Sequence, residues 1–499
     1  MTNFFSFNTA RPVLALLGLG LAGLAGCQSN LDGPATPTAG TADFKRYIAV
    51  GNSLTAGIED GGLYLEGQQN SYPNILAGQF AQAGGGQFRQ PLFTTAQANG
   101  AGYLRLAGFT ATGSPITQNV TTNLAIRGLN SSGGVLYTKY LDPIDNLGVP
   151  SIRLADMHTA NLGNIQPARA YNLVNFLPYF ERITPDGSSQ SYFQRIKAEA
   201  ATATFFTMWL GNNDVFGYAV TGGASTTADN MITRTDTFNL KAVRMLNALT
   251  ASGAKGVVSS IPDVTGLPFF TTVGGAARTA LAAAKVPDAA PFVYTTGILA
   301  PGQANTRVAA TIGNIRNASG STGTLLLTLT ASPYVGLYGQ PTGKCWRDLY
   351  TLASGAPAKG AVFGGFLTAL GVDTTKAFAQ SSQNPFPSPF ILDGTEQAAA
   401  ITATTAFNNS LMAAANSKGL AFFDANAYFR SIAASGAVSN GVNNTSNYIS
   451  GNLFSLDGVH PTPRGYALVA NEIIKVINAK YGSTIQQVNA NNYRGVLFP

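Results

Sequence analysis

Short apolar runs that stop at glycine, proline or aspartate, with helical stretches between them, constrain this chain most. Residues 44–50 (FKRYIAV), 202–210 (TATFFTMWL), 256–261 (GVVSSI) and 419–424 (GLAFFD) each read as a buried strand. A shorter strand is expected to end near Asn146, before Leu147-Gly148-Val149-Pro150. Helical patterns over 191–201, 237–251 and 395–417 precede the second, third and fourth runs, and another follows over 464–481. Alternating β and α elements call for a parallel sheet with helices on both faces. The expected class is therefore α/β, a three-layer α/β/α sandwich around a central parallel sheet. A length of 499 residues would by itself suggest about three domains. The pattern argues instead for one domain over 44–499, with long insertions at about 84–140 and 265–393. Such insertions are either substrate walls and lids or surface decoration. Ligands of these sheets bind outside the carboxyl ends of the strands. Ser53 and the loop at Gly211 follow strand ends directly, so both are expected on that edge.

The N-terminus reads as a targeting segment over residues 1–26. Arg11 precedes an apolar run, 13–24, that is too short to span a bilayer. The run ends in Leu24-Ala25-Gly26-Cys27, which resembles a bacterial lipobox. That resemblance implies cleavage before Cys27 and lipidation of its thiol; the alternative is an ordinary secretory signal with a stray cysteine. Several acyl chains on one residue anchor a protein stably where a single chain is marginal. Gln28, by the sorting rule of bacterial lipoproteins, implies the outer membrane. The expected setting is thus the cell envelope, with the membrane as partner through Cys27. Residues 27–43, rich in Pro, Gly and Thr, read as a flexible tether.

The formal charge of +7 falls to +6 when Arg11 leaves with the leader. It arises from few acids, since charged residues make up 11% of the chain, and the bases form no run or stripe. Nucleic acid is excluded as an expected partner. Apart from Cys27 the only cysteine is Cys345, with no cysteine or histidine nearby, so neither a disulfide nor a zinc site is expected. Of the two histidines, His158 sits in a helical-looking Leu154-Ala-Asp-Met-His158 and reads as a surface or capping residue.

The other histidine lies in Asp457-Gly-Val-His460-Pro461, and a serine stands at a strand end in Gly51-Asn52-Ser53-Leu54. Serine, acid and histidine are the parts of an acyl-transfer site, because serine needs a base to take its proton and the base needs a group to hold its tautomer. An Asp three residues before the His can return its carboxylate to Nδ1 over one turn, leaving Nε2 for Ser53. Taken alone, Asp-x-x-His also occurs as a turn cap. Gly211-Asn212-Asn213-Asp214 follows the second strand, so the Asn213 amide can donate to a developing oxyanion, or the segment is simply a turn. Thr55 stands where a Gly-x-Ser-x-Gly elbow would have its last glycine, which argues against the α/β-hydrolase fold.

Together these segments resemble the SGNH, or GDSL-like, hydrolase family. Its Gly-Asp-Ser-Leu block is matched by Gly51-Asn52-Ser53-Leu54, and its Asn-x-Gly-x-x-Gly block by Asn146-Leu-Gly148-Val-Pro-Ser151. Its Gly-x-Asn-Asp block is matched at Gly211–Asp214, and its Asp-x-x-His-Pro block at Asp457–Pro461, with Gly465-Tyr466 after it. The resemblance implies a flavodoxin-like fold and an esterase or lipase that needs no cofactor or metal. Ser53 would be the nucleophile, His460 the base and Asp457 its orienting acid. The N–H groups of Ser53 and Ser151 and the Asn213 side chain would form the oxyanion hole. Asn52 replaces the family's Asp in a turn-supporting role. Ser151 replaces a glycine, and serine does not adopt positive φ freely, so Gly148 is the alternative donor. The expected substrate is an acyl lipid or an acylated glycan. The rival expectation is a non-catalytic lipoprotein that binds glycan or lipid on the same scaffold.

Overall fold

A computed structural model describes residues 36–110, 115–131, 133–164, 176–300 and 305–499. Its central sheet has five strands: β1 (Tyr47–Gly51), β2 (Asn146–Gly148), β3 (Phe205–Trp209), β4 (Lys255–Ser259) and β5 (Ala421–Phe423). They pair in the order β5-β4-β3-β1-β2, and every pairing is parallel. Read from the other edge this is 2-1-3-4-5, a common order of doubly wound sheets, whose ligands bind where the strand order reverses. Here the reversal lies between β1 and β3. The two strands are buried along their whole length, which explains their unbroken apolar sequence. The one polar side chain within β3, Thr207, is satisfied by the Tyr47 hydroxyl at 2.8 Å.

The principal helices are α1 (Ser53–Ala56), α2 (Tyr72–Gln82), α3 (Tyr192–Ala200), α4 (Asn213–Val220), α5 (Thr235–Leu249), α6 (Pro268–Ala283), α7 (Gly394–Ser417), α8 (Ala425–Ser435) and α9 (Pro463–Tyr481). On flanking the sheet, α2 packs on α9, while α5 packs between α3 and α7. The rings of Phe238 on α5 and Phe407 on α7 stack at 3.9 Å. Helix α7 begins with a reciprocal cap in which the Asp393 side chain accepts from Glu396 N and Glu396 accepts from Asp393 N. Helix α9 begins directly after the Asp457–His460 segment. The Thr462 hydroxyl accepts from Gly465 N at 3.1 Å, and Pro463 presets the first turn.

Two expectations change. The edge strand runs over Asn146–Gly148 instead of ending at Asn146, because pairing of Ala49 with Asn146 and Gly51 with Gly148 sets its register. The tether expected over 27–43 is packed from Thr38 onward. Thr484 N donates to Thr38 O, Thr41 N donates to Tyr481 O at 2.8 Å, and Ala42 is buried. Residues Thr38–Pro499 make one compact unit. Leader residues 1–26 and Cys27 lie outside the described residues.

Both insertions carry structure of their own. The first contains two hairpins, Tyr103–Phe109 with Pro115–Val120 and Ile126–Leu129 with Val135–Tyr137. The second starts with α6 and contains a hairpin of Pro291–Thr296 with Thr306–Thr311. It has a separate apolar core that includes Val273, Phe292, Ile312 and Phe378. Both pack against the segments that follow Ser53 and precede His460, since Leu104 N donates to Asp60 O at 2.8 Å and Phe269 N donates to Gly458 O at 3.0 Å.

Candidate active site

Strand β1 delivers Ser53 to the edge at the reversal point. Asn52 Oδ1 accepts from Leu54 N at 3.1 Å, which turns the chain from β1 into α1. Below the turn the Tyr192 hydroxyl accepts from Gly51 N at 3.2 Å and donates to Leu147 O at 2.7 Å, pinning the ends of β1 and β2 together. At Gly148 a Cβ would fall 2.4 Å from Ala56 N, so only glycine lets β2 lie this close to α1.

His460 arrives from the far end of the chain. Ser53 Oγ lies 2.9 Å from His460 Nε2, and His460 Nδ1 lies 2.7 Å from Asp457 Oδ2. Ionised Asp457 can only accept, so Nδ1 carries the hydrogen and the Nε2 lone pair faces the Ser53 hydroxyl. Oδ2 of Asp457 also accepts from Gly61 N at 2.9 Å. Oδ1 accepts from Val459 N at 2.8 Å, His460 N at 2.9 Å and Ser455 Oγ at 3.2 Å. Burial alone would raise the Asp457 pKa. The His460 charge and the hydrogen bonds outweigh it, and the carboxyl is held below its ordinary range.

Asp60 supports this loop from behind. Its Oδ1 accepts from Leu456 N at 2.8 Å, and its own N–H donates to Ser455 Oγ at 2.9 Å. Neighbouring Glu59, fully buried, pairs with Arg494 at 2.8 Å. Nothing in the sequence pattern singled out Asp60, Gly61 or Tyr192.

On the opposite wall Asn213 opens α4. Its Nδ2 donates to Ile152 O at 3.0 Å, and a primary amide has a second hydrogen to offer. Asp214, fully buried, accepts from Leu154 N at 2.7 Å, Ala155 N at 3.0 Å and Thr233 Oγ1 at 2.8 Å. It thereby fixes the 151–156 loop against α4. Ser151 takes the left-handed conformation, φ 67°, that glycine would take more easily. A non-glycine residue there carries strain of about 1–2 kcal/mol. Among the described residues the N–H groups of Ser53 and Ser151 have no hydrogen-bond partner. The Gly148 N–H, by contrast, donates to Asn146 Oδ1 at 3.0 Å. Ser151→Gly is accordingly expected to raise stability by at most about 1 kcal/mol, because part of the relieved strain is offset by the freer unfolded glycine. Chemical denaturation checks this, and a loss of stability would contradict the strained reading of the loop.

These residues surround a cavity of about 190 Å³. Ser53, Ser151, Asn213 and His460 contribute its polar side, and Leu54, Phe216, Ile261, Val264, Leu267 and Phe429 are among its apolar walls. Asn212 also lines it, and both polar atoms of its buried amide lack a protein partner. Leu267 comes from the second insertion, which therefore forms part of the site wall. The remaining singled-out residues lie elsewhere. Cys345 is buried, which pushes its thiol pKa up. His158 follows a single 3-10 turn, Leu154–Asp156, and sits 4.4 Å from the Phe193 ring. Its pKa is lowered by burial and by Lys241 and Arg244. Among the described residues no His, Cys, Asp or Glu cluster could hold a metal.

The site's supporting carboxylates give stability an unusual pH dependence. Burial raises Asp60 to about 6, and burial likewise raises Asp214 to about 6 despite its hydrogen bonds. An unfolded Asp titrates near 3.9. Between about pH 4 and 6 the folded state therefore holds more protons, and these two groups contribute stability that is complete below about pH 4 and lost above about pH 6. Asp457 acts in the opposite sense, its contribution being lost only as pH falls below the ordinary carboxylate range. The melting temperature is expected to rise from pH 7 to pH 5, as thermal unfolding would show; a flat or falling trend would contradict these pKa directions.

Compared with protein-family models, with curated proteins and with solved structures, the chain gives no significant match.

Proposed function

We propose that this chain is a serine esterase of the SGNH, or GDSL-like, type, hydrolysing carboxylic esters through an acyl-enzyme. The observation that carries the proposal is the continuous relay from Ser53 Oγ to His460 Nε2 at 2.9 Å and from His460 Nδ1 to Asp457 at 2.7 Å, opening on an apolar cavity. Ser53 Oγ attacks the ester carbonyl while His460 Nε2 takes its proton. The oxyanion is held by the N–H groups of Ser53 and Ser151 and by the Asn213 amide, and one such donor contributes roughly 3–4 kcal/mol to acyl transfer. Collapse breaks the bond to the alcohol oxygen, and His460 returns the proton to the leaving alcohol. Water then attacks the acyl-enzyme by the same route, giving the acid and free Ser53. Asp457 holds the imidazole and its developing charge throughout.

The left-handed backbone at Ser151 and the unspent N–H there support a formed donor, so the glycine replacement lends little to a binding-only reading. In this proposal the leader and lipobox place the enzyme on the cell envelope through Cys27. The test is turnover of p-nitrophenyl butyrate by the purified mature protein. Steady release of p-nitrophenol that stops after organophosphate treatment is expected; no release above the protein-free rate would leave a binding role.

A further inference from the structure

A second cavity, of about 310 Å³, lies across the oxyanion wall from the first, and Ser151, Asn213 and Phe216 line both. Its lining is mixed where its neighbour's is mostly apolar, with Leu162, Leu177 and Val220 beside the polar groups. Arg153, Asp156, Asp229 and Asn230 contribute polar groups. The Arg153 guanidinium is held by Asp156 through Nε at 2.6 Å and Nη2 at 2.9 Å, by Asp229 at 3.3 Å, and by Ala228 O through Nη1. Little of it remains for an incoming anion. Arg153 pairs with Asp156 and Asp229, and Lys241 is within electrostatic reach of Asp156, so the charges here are largely matched and the wall suits an uncharged, hydrogen-bonding group better than a phosphate.

The acyl and alcohol parts of an ester diverge from the carbon that Ser53 attacks, and the two cavities diverge from the residues that would hold the oxyanion. Resting on the esterase reading, we infer that the substrate is a medium-chain acyl ester of an uncharged, hydroxylated alcohol such as a sugar or polyol. The acyl chain occupies the apolar cavity and the alcohol the mixed one, whose polar groups meet its hydroxyls and whose apolar residues meet its carbon face. An apolar cavity of about 150 Å³ accommodates benzene, so about 190 Å³ suits a chain of about six to eight carbons. Acetyl groups would leave that space unfilled, and long chains would overrun it.

The test is a chain-length series of p-nitrophenyl esters from acetyl to palmitoyl, followed by octanoyl esters of methanol, glucose and phosphoglycerol. With each buried methylene, kcat/KM is expected to rise about fourfold, peaking at about six to eight carbons. Phe429→Ala should move the peak to longer chains and Val264→Phe to shorter ones. Val220 lines only the second cavity of the two, so Val220→Trp should raise KM for the glucose ester about tenfold and leave methyl octanoate unchanged. A peak at acetyl or above twelve carbons, a peak that Phe429→Ala does not move, or a preference for the phosphoglycerol ester would overturn the substrate assignment. Fluorophosphonate labelling of Ser53 separates the two levels. Any of those results with labelling intact defeats only the substrate class, whereas loss of labelling in the folded wild-type protein defeats the esterase reading beneath it.

Discussion

Replacing Ser53 by alanine is expected to lower kcat by roughly 10⁶-fold, the scale seen when a triad nucleophile is removed, without unfolding the protein. Ser53 is only partly buried, and its hydroxyl has His460 Nε2 as its hydrogen-bond partner at 2.9 Å. The turn that presents it is held by Asn52 and Tyr192 and does not depend on the hydroxyl. The variant should therefore melt within a degree or two of the parent and still bind substrate, because both cavities and the proposed oxyanion donors remain. Hydrolysis reduced by less than about a hundredfold would mean that another group attacks the ester or activates water.

Asp457→Asn is the second large effect, with kcat expected to fall by about 10⁴-fold. The arrangement around Asp457 makes this a severe change, since both of its oxygens accept. An asparagine that turns its NH₂ to the Oδ2 position meets the Gly61 N–H and donates to His460 Nδ1. That forces the hydrogen onto Nε2, where it faces the Ser53 hydroxyl and cannot take its proton. Turned the other way, the NH₂ meets the N–H groups of Val459 and His460. Either orientation sets donor against donor, so stability should also fall by about 1–3 kcal/mol. Full kinetics beside a denaturation curve would show both losses. A variant with near-parental kcat would indicate that Asp457 merely caps a turn.

What could be read from the chain was what is local. The buried strands announce themselves because both faces of β1 and β3 are covered, leaving no polar alternation to confuse the pattern. Asp457 and His460 are three residues apart, close enough for spacing alone to suggest the contact. Ser53 and Asn213 could be placed near the same edge because both follow strand ends, whereas Ser151 was suggested only by the resemblance of Asn146–Ser151 to a family block. The supports of the site were not, because they are made by chain closure over long distances. Asp60 meets Leu456, and Tyr192 meets Gly51, only after the sheet has assembled. Asp214 looks like part of a turn until Leu154 and Ala155 are brought to it. The insertions resisted reading for a different reason. Their short hairpins and separate core are stabilised by packing among themselves, and Gly-, Asn- and Thr-rich segments carry little periodicity.

The central claim is that Ser53 is a nucleophile activated by His460 and Asp457. Incubating the folded protein with a fluorophosphonate and mapping the adduct by peptide mass spectrometry tests it most directly. The account predicts one adduct per chain, on Ser53, formed far more slowly in Asp457→Asn. Absence of an adduct on folded protein, or an adduct on a different serine, would contradict it.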